Sequence, residues 1–329
     1  MPRVFITEAV ADLRQHLHDA LTFVQGQQYI SSNTRVFLKP NLTYPMPKPG
    51  VTTTPEFMAA IIDVFAQYSS HLIVGESDGG YRGWPAELSF KSHGLPDLCR
   101  RYGARLVNLS KEPRTAVSLS LSRADVTLHL PSLLLDEIDL FVTLPVPKVH
   151  QVTVMSGAIK NQWGCIPDNM RLRYHPYFDE MILEVNRLVK VRFAFADGTY
   201  FLNRGGPMFG DPIRMDLILA SDSIGALDAA ICEIMGIDVS RVRYLDWARQ
   251  RGWIPPREQI NYSLLPEKFG KQRFDLQLTF RNRVVRWAFD RPWAITLFWD
   301  SWFADLFHKL LYAMAGNPVR EEIRLLRNQ

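Results

Sequence analysis

The chain has 329 residues, of which 47% are hydrophobic and 22% charged, a composition typical of a folded protein with a large core and not of a disordered one. Its net charge of +4 is unevenly placed, because residues 1–250 carry 25 basic and 26 acidic side chains and residues 251–329 carry 13 and 8. A basic excess confined to the last quarter argues against a protein that coats nucleic acid, and we expect no nucleic-acid partner.

The cysteines argue against the common Cys-ligated centres. Cys99, Cys165 and Cys232 are far apart and no CxxC pair occurs, so an iron–sulfur cluster or a structural zinc site is not expected. A low, odd cysteine count is typical of a reducing compartment, and we interpret all three as buried, inert thiols. Without a signal-like segment or a run near the ~20 apolar residues of a membrane span, the predicted location is cytoplasmic.

Short β-branched or aromatic runs alternate with longer helical patterns, which is typical of α/β proteins. We predict a three-layer fold in which helices cover both faces of a mostly parallel or mixed sheet. The predicted strands, in chain order, are residues 36–38, 72–74, 105–109, 138–144, 191–196 and, last, 217–220. The predicted helices are residues 55–68, 95–102 and 223–235, and residues 116–130 are predicted to form a β-hairpin.

The last quarter of the chain has a different character. It holds five of the eight tryptophans, and its residues 293–315 have a spacing that predicts one amphipathic helix, ended by Gly316-Asn317-Pro318. We therefore divide the chain into an α/β domain, residues 1–255, and a basic, aromatic C-terminal extension, residues 256–329. Four arginines precede the predicted amphipathic helix: Arg281, Arg283, Arg286 and Arg291.

Charged, Asn or His side chains follow five of the predicted strands. Because ligands of open α/β sheets bind outside the carboxyl ends of the strands, this placement predicts a binding site at that edge. Glycines after the strand at 191–196 predict a loop that approaches other backbone closely. The polar residues concerned are Lys39, Asn41, Glu76, Asp78, Lys148, His150, Asp197 and Asp222.

Residues 148–165 are the segment richest in chemistry. Lys148 and His150 are two apart on an extended stretch and so point to the same side, and Lys160-Asn161 follow a glycine turn. Lysines near a helix start suit a phosphate or carboxylate. Neither GxxxxGK[ST] nor GxGxxG occurs, so P-loop and Rossmann dinucleotide chemistry are unsupported. We interpret the stretch around His175 as a solvated loop in preference to a lid.

Several blocks occur in the order found in a known family. They are Lys39-Pro40-Asn41, Thr54-Pro55-Glu56, Gly75-Glu76-Ser77, Lys148-Val149-His150, Gly157-Ala158-Ile159-Lys160-Asn161, Asp197-Gly198, Gly206-Pro207 and Asp222 to Asp228. Over residues 4–255 the chain resembles the bacterial and archaeal family called domain of unknown function 362. The resemblance implies an α/β fold and a shared cleft and does not imply an established reaction. Many relatives carry a ferredoxin-like iron–sulfur insert, which this chain lacks.

These patterns lead to a set of roles. We expect an enzyme for a small anionic substrate, with His150, Lys148 and Glu76 as catalytic residues and His150 transferring a proton. The residues expected to bind substrate are Lys39, Asn41, Lys160, Asn161 and Asp197. The cofactor is left open. A divalent metal is one alternative, with Glu76, Asp78, Asp197 and Asp222 as candidate ligands, and helix capping by these carboxylates is the other.

A second hypothesis is a non-catalytic accessory protein that docks through the C-terminal extension. For residues 281–315 we keep three alternatives: packing on the core, packing in a homodimer, or peripheral contact with an anionic membrane surface. A redox accessory role is a third hypothesis, and the absence of clustered cysteines argues against it.

Overall fold

The structure is a computed structural model that describes residues 1–9, 12–81, 83–270 and 273–315. It consists of one mixed β-sheet with helices on both faces, a separate β-hairpin and three helices at the C-terminal end of the described chain. The expected helix end at 316–318 lies outside the described residues. No helix in the described ranges is long and apolar enough to cross a membrane.

All strands of the described chain belong to the main sheet except the fifth and sixth, which form a separate hairpin. In chain order the strands are β1 (Arg3–Glu8), β2 (Arg35–Pro40), β3 (His71–Glu76), β4 (Arg105–Asn108), the hairpin pair β5 (Arg114–Ser120) and β6 (Asp125–Pro131), β7 (Leu140–Leu144), β8 (Lys148–His150), β9 (Val154–Ser156), β10 (Val191–Asn203), β11 (Asp211–Ser221) and β12 (Asn261–Tyr262).

The helices alternate with these strands along the chain. They are α1 (Leu13–Phe23), α2 (Pro55–Ala66), α3 (Ala86–Ser92), α4 (Leu95–Arg101), α5 (Ala158–Asn161), α6 (Phe178–Val189), α7 (Ile224–Met235), α8 (Arg243–Gln250), α9 (Phe280–Phe289), α10 (Pro292–Trp299) and α11 (Trp302–Ala315).

The main sheet has the strand order β12-β1-β11-β10-β7-β2-β3-β4. Strands β10, β7, β2, β3 and β4 run parallel to one another, whereas β11 pairs antiparallel with both β10 and β1. The predicted α/β fold with a mixed sheet is confirmed. Because β2, β3 and β7 are adjacent and parallel, their carboxyl ends meet at one edge.

Alternating side chains of the central strands fill different cores. In β2, Val36 and Leu38 pack with α1, α2 and α4, whereas Phe37 packs on the other face with α6 and the β5–β6 hairpin. Such strands, buried on both faces, read in the sequence as continuous apolar runs. Helices therefore cover both faces of the sheet, as predicted.

Most predicted elements are present with shifted ends. Helix α2 begins at Pro55, as predicted, and Thr54 caps it, since the Thr54 hydroxyl accepts a hydrogen bond from the N–H of Phe57. The β5–β6 hairpin is confirmed. The loop with Gly206 does approach other backbone closely: a Cβ there would lie within van der Waals overlap of the Val149 carbonyl oxygen.

Three predictions about elements are wrong. The strand predicted to end before Asp197 continues to Asn203, because it stays paired with β11 beyond an irregularity at Gly198. Strand β11 is not the last, since β12 pairs with β1, and β1 itself had no prediction. The single helix over 293–315 is interrupted at Asp300 and Ser301, where Ser301 caps α11 through the N–H of Ala304.

The body of the molecule extends past residue 255. Ile260, Phe269 and Phe274 lie in the same buried core cluster as β1, β11 and α7. Helices α9 to α11 follow this stretch, and α9 and α10 pack against the turn formed by Arg171–Tyr177.

Candidate active site

Loops and short elements at the carboxyl edge of β2 and β3 enclose a cavity of about 240 Å³, which we call the polar cavity. The hairpin β8–β9, helix α5 and the turn Arg171–Tyr177 form its other walls. Seven of the residues singled out in the sequence line it together: Asn41, Glu76, Asp78, Lys148, His150, Lys160 and Asn161.

Lys39 lies behind this wall and does not line the polar cavity. Its ammonium group donates to Glu76 Oε2 at 2.8 Å and to the Pro40 carbonyl at 3.1 Å, and the side chain is fully buried. The backbone of Gly164 covers this ion pair: a Cβ at that position would lie 2.5 Å from Glu76 Oε1. Lys39, expected to bind substrate, instead neutralises Glu76.

Asn161 ties α5 to the ends of the central strands. Its Nδ2 donates to the Thr143 hydroxyl at 2.9 Å and to the Lys39 carbonyl at 3.2 Å. The next residue, Gln162, is fully buried and continues this network to Asn186. Buried polar groups that are satisfied in this way rigidify their surroundings, so Asn161 holds the cavity wall as well as lining it.

The hairpin β8–β9 presents Lys148 and His150 from one strand. The buried Lys148 ammonium donates to the Val51 carbonyl. His150 Nδ1 accepts hydrogen bonds from the backbone N–H groups of Val152, at 3.1 Å, and Thr153, at 3.4 Å. Because Nδ1 is an acceptor, a neutral His150 carries its proton on Nε2.

Helix α5 holds Lys160 at the cavity wall. Asp228 of α7 accepts hydrogen bonds from the N–H groups of Ala158 and Ile159 and so ties α7 to the start of α5. Within the described part of the chain the Lys160 ammonium has no hydrogen bond or ion pair, and it lies 5.7 Å from the ring centre of Phe178. Burial lowers the pKa of Lys160 to about 7.

The turn Arg171–Tyr177 supplies two residues whose role the sequence reasoning missed. Arg171 is anchored by hydrogen bonds to the Ser77 hydroxyl and the Ile166 and Asp78 carbonyls. His175 Nδ1 lies 3.0 Å from the Leu172 carbonyl, which can only accept, so Nδ1 carries the proton and Nε2 is the acceptor. The interpretation as a solvated loop is wrong, because both side chains line the polar cavity.

Basic side chains outnumber carboxylates in the lining of the polar cavity, and burial lowers the pKa of these basic groups. Burial, followed by the charge of Lys160, holds the pKa of both Lys148 and His150 well below the ordinary values. Burial is also the main reason that the pKa of His175 falls to about 3. Of the two lining carboxylates, Glu76 pairs with Lys39 and Asp78 accepts from the Ala86 N–H and from Asn108. Both carboxylates are thus engaged by other groups of the described chain.

The four candidate metal ligands are not brought together. Asp197 accepts two hydrogen bonds from Thr54 and two from Thr199, because β10 carries it to the start of α2 instead of the cavity. Asp222 pairs with Arg3 at 2.9 Å. In the ranges that the structure describes, no group of three or more His, Cys, Asp or Glu side chains is placed to hold a metal.

Cys165 follows the glycine that covers the Lys39–Glu76 pair. Its side chain is fully buried, and burial raises the pKa of the thiol to about 12. Cys99 and Cys232 are also buried and free. The interpretation of all three as buried thiols is confirmed.

Fold and site together define an α/β protein with a cavity lined by basic side chains at the carboxyl edge of a mixed sheet. The chain belongs to the family described as domain of unknown function, DUF362, whose sequence model matches residues 36–233. The resemblance carried by the Lys-Pro-Asn and Lys-x-His blocks is thereby confirmed. All lining residues named above lie within the matched segment.

The chain is also similar to individual proteins, at low sequence identity. A thylakoid-associated protein of Synechocystis sp. is 26% identical over 291 residues, which cover 79% of this chain and 86% of that protein. Among solved structures, the lactate racemase apoprotein from Thermoanaerobacterium thermosaccharolyticum is similar with a TM-score of 0.46 and 13% identity, over 74% of this chain and 57% of that one. A Thermotoga maritima protein is similar with a TM-score of 0.35 and 13% identity, over 58% and 51%.

Proposed function

We propose that this protein is an enzyme that binds a small anionic substrate, phosphorylated or carboxylated, in the polar cavity. The observation that carries the proposal is the position of the buried Lys148 and the half-buried Lys160 at the cavity, with no carboxylate paired to either in the described chain. An unpaired buried ammonium group is unfavourable, and a bound anion would relieve that cost.

The anion would be held from two sides. Lys160 on α5 and Lys148 on β8 supply positive charge, and the Asn41 side chain adds an orienting polar group at the end of β2. Binding the anion raises the pKa of Lys160, because the negative charge favours the protonated ammonium. Ligand binding and proton uptake by Lys160 are therefore linked.

The two histidines of the cavity are assigned opposite roles. With Nδ1 occupied by backbone N–H groups, neutral His150 presents a donor N–H at Nε2, which can polarise a substrate oxygen. His175, with its proton on Nδ1, presents an acceptor at Nε2 that can take up a proton. A negative charge in the cavity raises the pKa of His175 and makes it a better base.

The anion assignment is tested by calorimetric titration with sulfate, whose charge does not change near neutral pH. We expect Lys160→Gln to weaken sulfate binding about tenfold or more, whereas Lys91→Gln, which removes an exposed lysine of α3, leaves it unchanged. Equal affinities of Lys160→Gln and the unaltered protein would overturn the assignment.

The roles of the histidines are tested without knowledge of the substrate. Nitrogen NMR of ring-labelled histidine distinguishes the two neutral tautomers. We expect a protonated Nε2 on His150 and a protonated Nδ1 on His175. The signals of each ring are assigned by their absence from the spectrum of the His150→Gln or His175→Gln variant. The reverse pattern would contradict the assigned donor and acceptor.

We propose, as a second property, that the C-terminal helices contact an anionic membrane surface. Large apolar side chains are exposed along them, and Trp302 and Phe280 are 85% and 83% exposed. Arg291 lies 4.3 Å from the ring centre of Trp287, and the exposed Arg283 is on the same helix as Trp287. Aromatic rings interleaved with arginines are typical of helices at the lipid interface, and the relative described as thylakoid-associated agrees with this proposal.

Flotation with vesicles tests this second property. We expect the full chain to float with vesicles rich in anionic lipid and less with neutral ones. The triple variant Phe280→Ser, Trp293→Ser and Trp302→Ser should lose flotation, and the control Leu264→Ser with Leu265→Ser, also exposed, should keep it. Equal flotation of both variants would exclude this surface.

A further inference from the structure

A second, larger cavity lies between the C-terminal helices and the loop that joins β10 to β11. Its volume is about 980 Å³, and we call it the apolar cavity. Aromatic rings from all three C-terminal helices line it, including Trp287, Phe298 and Phe307. A volume of this size is at the upper end for a small-molecule site.

The polar groups of the apolar cavity are largely satisfied by each other. Arg204 and Asp211 form an ion pair at 2.8 Å, and His308 Nδ1 lies 2.8 Å from the Ala304 carbonyl. Rings pack on rings along the wall, with Phe298 and Phe307 centred 5.1 Å apart and Phe289 and Trp299 5.2 Å apart. The space that remains suits a hydrocarbon occupant.

The two cavities share a wall. Pro207 and Met208 line both of them. On the other side, Tyr81 of the polar cavity packs against His308 of the apolar cavity, with ring centres 5.1 Å apart. A molecule with its charged end beside Lys160 could thus place an attached chain against the rings of the C-terminal helices.

We propose that the substrate is an anionic amphiphile, with its phosphate or carboxylate head in the polar cavity and its hydrocarbon chain in the apolar cavity. This proposal rests on the proposed function, because the head occupies the same anion site. The basic side chains of the polar cavity would bind the charged head. The aromatic lining of the apolar cavity, whose polar groups are already hydrogen-bonded or ion-paired, would bind the hydrocarbon chain. A thioether side chain such as Met208 adapts to different chain shapes at the boundary between them.

The test is calorimetric titration with ethyl, butyl and hexyl phosphate below their aggregation limits, with inorganic phosphate as the reference. We expect affinity to rise with chain length, by about fourfold for each methylene that becomes fully buried. Inorganic phosphate that binds as tightly as hexyl phosphate would overturn the amphiphile proposal and leave the proposed anion site standing.

Two variants test the binding of the hydrocarbon chain and the binding of the charged head separately. Val284→Trp fills part of the apolar cavity from α9 and should abolish the gain with chain length without affecting inorganic phosphate. Its control is Leu306→Trp on α11, which is 50% exposed, does not line the cavity and should leave the gain intact. Lys160→Gln should weaken all four ligands by the same factor. Loss of the gain in both Trp variants would overturn the proposal.

If inorganic phosphate does not bind, or if Lys160→Gln leaves every affinity unchanged, the proposed anion site itself fails. If the affinities rise with chain length but Lys160→Gln has no effect, the alkyl chain is bound without its head and the joint assignment is wrong. These outcomes differ from a flat chain-length series, so the two proposals can fail separately.

Discussion

Two lysines near the carboxyl edge of the sheet have opposite surroundings. Lys39, at the end of β2, is fully buried and donates to Glu76 at 2.8 Å, and the backbone of Gly164 seals the pair. Lys160, on α5, faces the polar cavity and has no carboxylate partner in the described chain. The charge of Lys39 is balanced within the protein, whereas under the proposed function a bound anion would balance that of Lys160.

This difference separates a structural charge from a binding charge. A buried ion pair is destabilised when one partner is removed, because the other is left without compensation. A buried ammonium group without a counter-ion already carries that penalty. Its removal should therefore stabilise the folded protein, and so should the binding of an anion beside it.

The largest effect is expected for Lys39→Met. It leaves the Glu76 carboxylate buried without its counter-ion, and we expect a loss of about 3–5 kcal/mol in the free energy of unfolding, measured by urea denaturation. The double variant Lys39→Met with Glu76→Gln should recover most of that loss. A single variant as stable as the unaltered protein would show that the pair is not structural.

Gly164→Ala tests the seal over the same pair. The added Cβ would lie 2.5 Å from Glu76 Oε1 and 2.9 Å from Lys39 Nζ, so the ions must move apart or the backbone must shift. We expect a loss of about 1–3 kcal/mol by thermal denaturation. Gly80→Ala is the control, since its Cβ meets nothing closer than 3.9 Å, and a similar loss in both would contradict this explanation.

We expect Lys160, which has no carboxylate partner in the described chain, to set the pH dependence of sulfate binding. With a pKa of about 7 in the free protein, Lys160 is mostly protonated at pH 6 and mostly neutral at pH 8. If only the protonated form binds, sulfate affinity should fall about tenfold between these pH values. The histidine pKa values are lowered, that of His175 to about 3, so the histidines stay neutral in this range. Lys160→Arg should bind independently of pH, and a pH-dependent Arg variant would locate the titrating group elsewhere.

The same shift has a consequence for folding. Between the folded pKa of about 7 and the ordinary value of 10.5, the unfolded chain holds a proton that the folded chain has released. Stability contributed by this group therefore rises with pH across that window, and it is lowest below pH 7.

The smallest effect, and one of opposite sign, is expected for Lys160→Met. Removing an unpaired buried charge should raise the free energy of unfolding at pH 7, by about 1 kcal/mol. Lys91→Met, on the exposed face of α3, should change it by less than about 0.5 kcal/mol. A Lys160→Met variant that is destabilised as strongly as Lys39→Met would remove the distinction between the two lysines.

The sequence allowed prediction of the edge of the sheet on which the site lies but not of the partner of each side chain. Lys39 and Lys160 look alike in the sequence, since each precedes an Asn or Pro-Asn at the end of an element. Only the fold shows that Glu76 reaches Lys39 at 2.8 Å and that Lys160 lies apart from it. Pairing depends on long-range geometry, which local patterns do not contain.

The errors have a common physical origin. Asp197 and Gly198 resemble a loop, but pairing with β11 carries β10 past them, and tertiary contacts override local propensity. Arg171 and His175 resemble solvated loop residues, yet the helices at the C-terminal end pack on their turn. The break at Asp300 and Ser301 was likewise invisible in the spacing of apolar residues, because the pattern continues across it.

The ring of His175 is packed against residues from the middle of the chain and from a C-terminal helix. Trp163 and Phe178 pack on it from within the family segment, with ring centres 5.3 and 5.8 Å away, and Phe289 packs on it from α9 at 4.5 Å. Phe289 lies outside the matched residues 36–233. The segment that the family model matches therefore does not enclose the cavity residue His175 by itself, since one side of its surroundings is supplied by a helix outside that segment.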